Sequence, residues 1–574
     1  MAESGSGTST KGGNGVGGSW TSKGGGTSSS TAGGGTQGPT TPACAVPTQG
    51  DVEFSAPSGT FSGTLTVELT TNIDNAQIRY TTNGQAPTAT STLYSDAVQL
   101  KSTTRLRAAA FVDGSLSGMP STALYVARAT EGTHDLPVLV LDSYGSGKLP
   151  TDYNQPRPFV DVAVLSYDVP DGGTVSLSDV PTMASFAAFH VRGNSSSMFD
   201  KIPYRLELRN ENGGDRDCPL IGMPAESDWA LVGPHADKTL VHNNFVYELG
   251  REMGLAAPRI KLAEVYVNVD DQPLGADDYQ GVYQVVETIK NQKNRLDLKQ
   301  LDETKTLAKE ITGGYIFKFD WMLSADVTID CPTTTTNCWH YLELINPVPI
   351  APAQRTYLTE HLVAFNAAVR SATPSNATTG YPAYIETQSF IDTLIVNELT
   401  RNMDGLVRSQ FFFKDRDQKI NAGPLWDFDL IAGVGLNPGM MGSTMANTAA
   451  DGWQYEGNAS RLTGGGGGFG MSSEGTADWF PKLLSEPTFK AQLVTRWKSL
   501  RQGLLSDTAM SARIDSVSQG LSNAAERNFN KWKILSQARV NPFDTPTEST
   551  WAAQIAFMKT WLQKRAAWLD TQWK

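Results

Sequence analysis

The sequence lacks several features that would place it quickly in a class of protein. Its 574 residues include only four Cys and six His, and no CxxC pair occurs, so a zinc site is not indicated. No run of about 18 consecutive apolar residues occurs, so no transmembrane helix is predicted. Positive charge is in deficit, since 47 Lys and Arg face 59 Asp and Glu, for a formal net charge of −12. That balance argues against nucleic acid as a partner.

Common motifs of nucleotide-binding proteins and hydrolases are also missing. The chain has no HExxH and no GxSxG, and no GxGxxG follows a strand-like run. The string YGSGKLP fails the Walker A spacing, because the position five before Gly147 is Asp142. The Gly464–Gly468 run lies between helical patterns and is interpreted as a loop. A P-loop, a dinucleotide-binding turn and a nucleophile elbow are therefore not indicated.

Composition divides the chain into three regions. Residues 1–40 contain 14 Gly, 8 Ser and 7 Thr, so we interpret 1–47 as a disordered linker. Short alternating runs separated by turn signals such as TNGQAPT predict a small all-β sandwich over 48–130. Residues 131–574 mix strand and helix patterns, and 435–574 are predicted to be mainly helical.

Within 131–574, individual elements can be predicted. Apolar strand-like runs include LPVLVLD, AAFHVRG, YRLELR, LAEVYVNVD, QGVYQVVETI and GGYIFKF. An apolar stripe predicts a helix over 238–254, with Lys238 at its start, and SFIDTLIVNELTRN predicts another. The C-terminal helical patterns cover 489–505, 511–528 and 551–573.

The segment CPTTTTNC places Cys331 and Cys338 at the two ends of a short polar loop. Two interpretations remain open, a pair of free thiols or a disulfide in an exported protein. The Gly/Ser/Thr-rich tail is typical of a tether to a cell surface, which favours the disulfide. The first residues hold no apolar signal-peptide core, which is typical of a soluble chain or of the trimmed form of an exported protein. Together with the tail, we expect an exported or surface-associated protein.

One segment, 389–433, carries most of the chemical information. A helix is predicted to run to about Asn402, and the carboxylate Asp404 follows in a loop. Ser409 comes five residues later, a predicted strand then runs through 411–414, and the returning strand ends at the sequence WDFD.

This order of residues is what phosphoryl transfer requires. One carboxylate orients the attacking hydroxyl, a polar residue five positions later reaches metal or phosphate, and a hairpin brings a second carboxylate to Mg²⁺. The Asp-x₄-Ser spacing matches the Asp-x₄-Asn loop of protein kinases, and WDFD stands where kinases have DFG. The structural alternative is that Asp404 caps a turn and that Asp427 and Asp429 are surface residues. Neighbouring apolar side chains favour a metal-paired site, because unpaired buried carboxylates are costly.

Six stretches of 131–574 resemble the spore-coat protein H (CotH) kinase family, in the family's order. They are HVRGNSS, DKIPYRLEL, the 228–258 segment, VYVN with GVYQVVETI, GGYIFKFD, and the segment from NMDGLVRSQFFFKDRD to GPLWDFDL. The 48–130 region resembles the chitobiase C-terminal-like, fibronectin-III-like module of bacterial exported enzymes, through Tyr80-Thr-Thr-Asn-Gly, Pro87-Thr and Leu93-Tyr94. Together they imply an α+β fold. An atypical protein-kinase-like two-lobed domain with a helical C-terminal region would follow a small all-β sandwich without chemistry of its own.

The resemblance also implies roles for individual residues. Asp404 matches the family's catalytic Asp, Asp427 matches its Mg²⁺-binding Asp, and Asp429 would be a second ligand. Arg192, in RGNSS, lies in a segment that resembles the family's replacement for a Gly-rich loop, and would bind nucleotide phosphate. Ser409 replaces the Asn of ordinary kinases and would bind metal or phosphate.

Further nucleotide-binding residues follow from the kinase-like arrangement. Lys201 and Lys238 are candidates for the Lys that pairs with phosphates and with a helix carboxylate. Glu248 or Glu252 would be that carboxylate, and spacing does not choose between them. Glu287 ends a strand at the position of the kinase hinge, where it would contact adenine or ribose. Each of these residues has the alternative interpretation of an exposed surface charge.

These observations predict an ATP-dependent protein kinase that uses Mg²⁺ or Mn²⁺ and phosphorylates Ser or Thr of an exported or surface protein. Two alternatives remain open at this point. A kinase-like fold can transfer AMP or activate a carboxylate with the same metal-binding carboxylates. The chain could also be a non-catalytic surface or coat module, against which the intact Asp404, Asp427 and Asp429 count.

Overall fold

The computed structural model describes residue 44 and residues 50–152, 157–321, 326–332, 335, 338–436, 448–457 and 477–574. Apart from Cys44, the predicted linker 1–47 lies outside the described residues, as does the predicted Gly464–Gly468 loop.

The N-terminal region is all-β, as predicted. Its strands are β1 (Val52–Phe54), β2 (Gly59–Phe61), β3 (Leu65–Val67), β4 (Leu69–Thr71), β5 (Gln77–Thr81), β6 (Thr92–Leu93), β7 (Val98–Leu100), β8 (Thr104–Val112) and β9 (Ser115–Ala127). A sheet of order β2-β9-β8-β5-β6 and the ladders β1-β4 and β3-β7 enclose one apolar core, which includes Val67, Leu69, Leu106 and Tyr125. Alternation along short strands places these side chains inward.

A closed seven-stranded barrel follows. Its strands are β11 (Val138–Asp142), β12 (Val160–Tyr167), β14 (Met183–Val191), β15 (Tyr204–Arg209), β18 (Asp228–Val232), β19 (Ile260–Asn268) and β20 (Tyr279–Glu287), in the order β11-β12-β14-β15-β18-β20-β19. Two ladders accompany it, formed by β10 (Thr133–His134) with β13 (Val175–Ser176) and by β16 (Cys218–Leu220) with β17 (Met223–Glu226).

The barrel strands read as nearly continuous apolar runs because both of their faces are buried. Leu139 and Leu141 belong to the interior core, whereas Val138 and Val140 pack outward in a cluster that includes Leu124 of β9. The sandwich is therefore packed against the barrel wall.

A second sheet has the order β22-β23-β21-β24-β25. Its strands are β21 (Tyr315–Phe319), β22 (Thr328–Ile329), β23 (Leu342–Asn346), β24 (Gln410–Lys414) and β25 (Ile420–Ala422). The helices α1 (His242–Met253), α2 (Pro352–Ala368) and α3 (Thr387–Thr400) share an apolar core with this sheet. The predicted hairpin after Asp404 is present as β24 and β25. α3 is buried from Ser389 to its end, so it is a rigid support for the loop that follows.

The C-terminal region is mainly helical. Its helices are α4 (Gln454–Gly457), α5 (Trp479–Ser485), α6 (Pro487–Arg501), α7 (Asp507–Ser518), α8 (Ser522–Lys531) and α9 (Trp551–Gln572). The short strands β26 (Gly435–Leu436), β27 (Arg539–Val540) and β28 (Phe543–Asp544) pair in the order β26-β28-β27. None of the helices in the described part combines the length and apolar character needed to span a bilayer.

Two helix predictions need correction, and one helix was not predicted. The helix predicted over 238–254 begins at His242, so Lys238 precedes it. The pattern over 511–528 forms two helices, α7 and α8, because Gly520 adopts a left-handed φ of 76° between them. α2 was not predicted, although its buried Leu358, Leu362 and Phe365 follow helical spacing.

Candidate active site

The first part of the site is the turn that follows α3. The backbone N–H of Arg408 donates to the carbonyl of Asp404 at 2.9 Å, and Arg408 Nη1 donates to Asp404 Oδ1 at 2.8 Å. At the start of the turn, the Asp404 N–H donates to Asn402 Oδ1 at 3.2 Å, and Asn402 Nδ2 donates to Asn397 Oδ1 at 3.1 Å. Because Asn397 lies on the buried helix α3, this chain of bonds fixes the Asp404 loop to the core.

The second part is the WDFD segment, which α1 holds by its backbone. The Asp427 N–H donates to the Tyr247 hydroxyl at 3.0 Å, and the Phe428 N–H donates to Asn243 Oδ1 at 2.7 Å. Sequence reasoning missed Asn243 and Tyr247. The available signal was a pair of polar groups four residues apart on the predicted helix.

The start of α1 is fixed by Asp237. Its carboxylate accepts hydrogen bonds from the backbone N–H groups of Thr239, Leu240 and His242, at 2.9, 3.1 and 2.9 Å. His242 Nδ1 in turn donates to the carbonyl of Asp429 at 2.9 Å. This capping places the first turn of α1 directly against the WDFD segment.

Asp427 and Ser409 connect the two parts. Ser409 Oγ donates to Asp427 Oδ2 at 3.3 Å. Both residues have left-handed backbones, with φ of 49° for Ser409 and 65° for Asp427, as do Arg401 at 54° and Leu406 at 69°. Such angles are unfavourable for residues with side chains and concentrate at functional sites. These left-handed backbones therefore indicate that the region around Ser409 and Asp427 is a candidate functional site.

The carboxylates of the site carry more negative charge than the nearby cations compensate. Asp427 is exposed on one side, but the protein around its carboxylate removes hydration and raises its pKa to about 6, and Asp404 and Asp320 act in the same direction. Arg192 opposes this rise. The pKa of Asp429 is raised well above its usual range, first by burial and then by Asp427.

Arg192 brings positive charge to the site from the barrel. It directly follows β14, and its guanidinium lies 5.4 Å from the centre of the Trp426 ring. Burial lowers its pKa, while attraction to Asp427 and, more weakly, Asp429 opposes that fall. Across the described ranges, no side chain pairs with this guanidinium in a salt bridge or hydrogen bond. Its charge is therefore available to an anion.

A second set of charges lies where β21 ends. Lys318 Nζ pairs with Asp320 Oδ2 at 2.9 Å and with Glu343 Oε2 at 3.1 Å. The Arg408 guanidinium lies 3.8 Å from the centre of the Trp321 ring. Sequence reasoning did not select these residues, although charged side chains at the end of the apolar strand YIFKF are a usable signal.

The donor set fits a divalent cation. Among the residues that the structure describes, no three His, Cys, Asp or Glu side chains converge to hold an ion alone. Mg²⁺, however, is often bound by only one or two carboxylates and takes its remaining ligands from water and substrate phosphates. Asp427 and Asp429 both have raised pKa values, and Ser409 lies beside Asp427. A bound cation would offset the repulsion between the two carboxylates.

The structure does not bring Lys201 to these carboxylates. Lys201 is completely buried, and its ammonium donates to the carbonyl of Val282 at 2.5 Å and to Asn528 Oδ1 at 2.7 Å. Burial lowers its pKa well below the usual value, opposed only by Asp237. In this structure α8 covers Lys201 through Asn528, and the role of Lys201 as a phosphate ligand stays a prediction.

Lys238 and Glu287 are also committed elsewhere. Lys238 Nζ donates to three carbonyls of the C-terminal segment, those of Leu535, Gln537 and Pro546. Glu287 Oε1 accepts from Arg259 Nε and from Arg295 Nη1, both at 2.7 Å. Both residues have partners in this structure, and their nucleotide-binding roles stay predictions.

The helix carboxylates do not serve a catalytic Lys either. Glu252 is paired with Arg513 of α7. Within the described residues, neither Glu248 nor Glu252 forms an ion pair with Lys201 or Lys238. In this structure α1 contributes to the site through Asn243 and Tyr247 instead.

All four cysteines are paired. Cys331 is joined to Cys338, with their Cα atoms 6.1 Å apart, and Cys44 is joined to Cys218, with their Cα atoms 5.6 Å apart. The second pair was not predicted, because 174 residues separate its members along the chain.

Comparison with known families agrees with the resemblances drawn from the motifs. A family described as chitobiase/beta-hexosaminidase C-terminal domain matches residues 56–122. A search of curated proteins returned no match. The family described as CotH kinase protein matches residues 189–569, which is more than half of the chain and includes Arg192, Asp404 and Asp427. The chain therefore belongs to the CotH kinase protein family.

Proposed function

We propose that this chain is an ATP-dependent protein kinase that uses Mg²⁺ or Mn²⁺ and transfers the γ-phosphoryl group to Ser or Thr of an exported or surface protein. The observation that carries the proposal is the meeting of two carboxylates at one place. Asp404 raises the pKa of Asp427, so the two groups interact, and Arg408 and Ser409 contact one carboxylate each. A kinase-like, two-lobed arrangement of the barrel against the second sheet and helices is part of this proposal.

Each residue of the site has a distinct role in the proposed reaction. Asp404 accepts a hydrogen bond from the acceptor hydroxyl and orients it toward the γ-phosphorus. Arg192 binds nucleotide phosphate from the barrel side. Asp427, with Asp429 and Ser409, would hold the divalent cation, which neutralises charge on the β- and γ-phosphates.

Tyr247 and Asn243 act as positioning residues. By accepting the backbone N–H groups of Asp427 and Phe428, they hold the metal-binding carboxylate in its left-handed conformation. Preorganisation of this kind contributes to catalysis because no reorganisation is needed during the reaction.

An exported location is supported by the pairing of all four cysteines, since disulfides persist mainly in oxidising compartments. The match of a chitobiase-type module to residues 56–122 is in keeping with that location.

The test is phosphoryl transfer from ATP labelled on the γ- or the α-phosphate. The full chain is incubated with Mg²⁺ or Mn²⁺ and a generic protein acceptor, beside Asp404→Asn and Asp427→Asn. Asp515→Asn is the control, because Asp515 is exposed on α7 and pairs only with Lys559 among the described residues. We expect γ-label transfer in wild type and control and none in the two site variants.

Two outcomes would contradict the proposal. Transfer of label only from the α-phosphate would indicate AMP transfer. Absence of transfer, together with no binding of ATP by calorimetry in the presence of Mg²⁺ and Mn²⁺, would indicate a non-catalytic module.

A further inference from the structure

Arg408 is a cation placed directly beside the acceptor-orienting carboxylate. Its Nη1 lies 2.8 Å from Asp404 Oδ1, and its central guanidinium carbon, Cζ, lies over the Trp321 ring, 3.8 Å from the ring centre. The side chain is largely buried, with 17% of its surface exposed. A planar group held on one face by an indole and at its edge by a carboxylate has a defined orientation.

Arg408 belongs to the short segment that contacts both carboxylates of the site. Arg408 contacts Asp404, and the next residue, Ser409, contacts Asp427. In the proposed kinase reaction the γ-phosphoryl group moves between these two carboxylates, from the metal-bound nucleotide toward the hydroxyl held by Asp404. The proposed path of the phosphoryl group therefore ends at the carboxylate that Arg408 contacts.

The other cations near the site have different positions. Arg192 approaches from the barrel and stacks against Trp426. Lys318 forms ion pairs with the carboxylates of Asp320 and Glu343. Of these three cations, Arg408 is the one that directly contacts the acceptor-orienting carboxylate.

We propose that Arg408 binds the oxygens of the transferring γ-phosphoryl group and stabilises its charge, with Trp321 as the platform that orients the guanidinium. This inference rests on the proposed kinase function. The acceptor oxygen forms a bond to the γ-phosphorus while the bond from that phosphorus to the β,γ-bridging oxygen breaks. The bond's electron pair leaves with ADP, and the hydroxyl proton passes to Asp404 and then to water. Arg408 exchanges no proton, because guanidinium remains charged in proteins.

The experiment compares Arg408→Gln and Arg408→Lys with wild type in two measurements. The first is the calorimetric affinity for ADP with Mg²⁺, without and with aluminium fluoride, which mimics the transferring phosphoryl group and needs no identified acceptor. The second is the rate of γ-label transfer to a generic acceptor.

Arg501→Gln is the matched control. Arg501 has 18% of its side-chain surface exposed, pairs with Asp507 and Asp570, and lies 5.9 Å from the Trp497 ring, away from the site. It reproduces the burial, ion pairing and indole contact of Arg408 without the proposed role.

We expect Arg408→Gln to bind ADP within about threefold of wild type but to lose most of the added affinity that aluminium fluoride provides. Transfer should fall by about 10²- to 10³-fold, somewhat below the range measured for arginine fingers. Arg408→Lys should retain part of both, since it keeps the charge but loses the planar fork. Arg501→Gln should match wild type.

Retention of the aluminium fluoride gain in Arg408→Gln would overturn the proposal, because Arg408 would then only brace the Asp404 turn. Equal losses of ADP affinity and of fluoride gain in both Arg408 variants, with a lowered melting temperature, would also overturn it. Wild type that fails to bind ADP would instead contradict the proposed function itself, so the two failures are distinguishable.

Discussion

A carboxylate of the barrel and a carboxylate of the candidate site differ in how many hydrogen-bond partners they have. In the barrel, Glu264 accepts from His134 Nδ1 at 2.8 Å, from Tyr279 at 2.5 Å and from two nitrogens of Arg527 at 2.8 and 2.7 Å. These partners lower its pKa to about 2 despite burial. At the site, the one side-chain hydrogen bond that the Asp427 carboxylate accepts from the described residues comes from Ser409, and the pKa of Asp427 is raised to about 6.

The backbone conformation also differs between the two carboxylate residues. Glu264 lies within a regular strand, whereas Asp427 and Ser409 have positive φ. A fully partnered carboxylate on a regular element indicates a structural role. A carboxylate short of partners, on a strained backbone, indicates a place where a ligand supplies the missing charge.

The largest expected effect is the loss of phosphoryl transfer in Asp427→Asn. We expect a decrease of at least about 10³-fold, because the proposed metal ligand is removed. The melting temperature of the metal-free protein should stay equal or rise, since the change relieves repulsion from Asp404 and Asp320. Scanning calorimetry beside the transfer assay measures both. A large drop in melting temperature would show that Asp427 is structural and would remove the contrast with Glu264.

Glu264→Gln should show the reverse behaviour. We expect it to destabilise the fold by about 3–5 kcal/mol. Arg527 would keep its charge and His134 its N–H donor, but the carboxylate that partners both would be gone. Chemical denaturation measures this change. The nearby Asp135→Asn is the control, since Asp135 contacts Arg527 from a more exposed position and its loss should cost less. Unchanged stability in Glu264→Gln would indicate that the network is dispensable.

Stability should also depend on pH in opposite senses in the two regions. The lowered pKa of Glu264 contributes stability that is present above its unfolded pKa and is lost as pH falls from about 4.5 toward 2. The raised pKa of Asp427 means that the folded metal-free protein binds a proton more tightly than the unfolded chain. Its contribution therefore becomes unfavourable as pH rises through about 6.

Added Mg²⁺ separates these two contributions. The rise in melting temperature that the cation produces should grow between pH 5 and 7, as Asp427 ionises, and should disappear in Asp427→Asn. Glu264→Gln should retain the cation effect at reduced overall stability. A cation effect that persists in Asp427→Asn would place the cation elsewhere.

The smallest expected effect is that of Tyr247→Phe. Removing the hydroxyl that accepts the Asp427 N–H should lower transfer by about tenfold, while the folding cost stays near 1 kcal/mol. Steady-state kinetics should show the loss in kcat rather than in the KM for ATP, because the change alters the position of the carboxylate. Tyr315→Phe, at a buried hydroxyl that bonds to Ile311, is the matched control and should leave kcat unchanged.

Several features of the site followed from short-range sequence patterns. The segment 389–433 contains Asp404, Ser409, the hairpin β24–β25 and Asp427 in an order that a helix, a turn and a hairpin bring together locally. The resemblance to the CotH kinase family was confirmed by the match to residues 189–569. The surroundings of Lys201 and Lys238 could not be predicted from short-range patterns, because they depend on contacts with residues about 300 positions later in the chain.

The amino-acid sequence by itself determined the all-β character of the N-terminal region, five of the seven strands of the later barrel and the helix–turn–hairpin order around Asp404. Those features depend on alternation, helical spacing and turn residues within short windows. Only the tertiary structure decided that the barrel closes, that Cys44 pairs with Cys218, and which cations reach the carboxylates. Pairing of charges requires positions in space, and a side chain's partners are set by elements far away in the chain. Arg192 approaches the site for that reason and Lys201 is buried beneath α8, whereas Arg408 reaches Asp404 within a local turn.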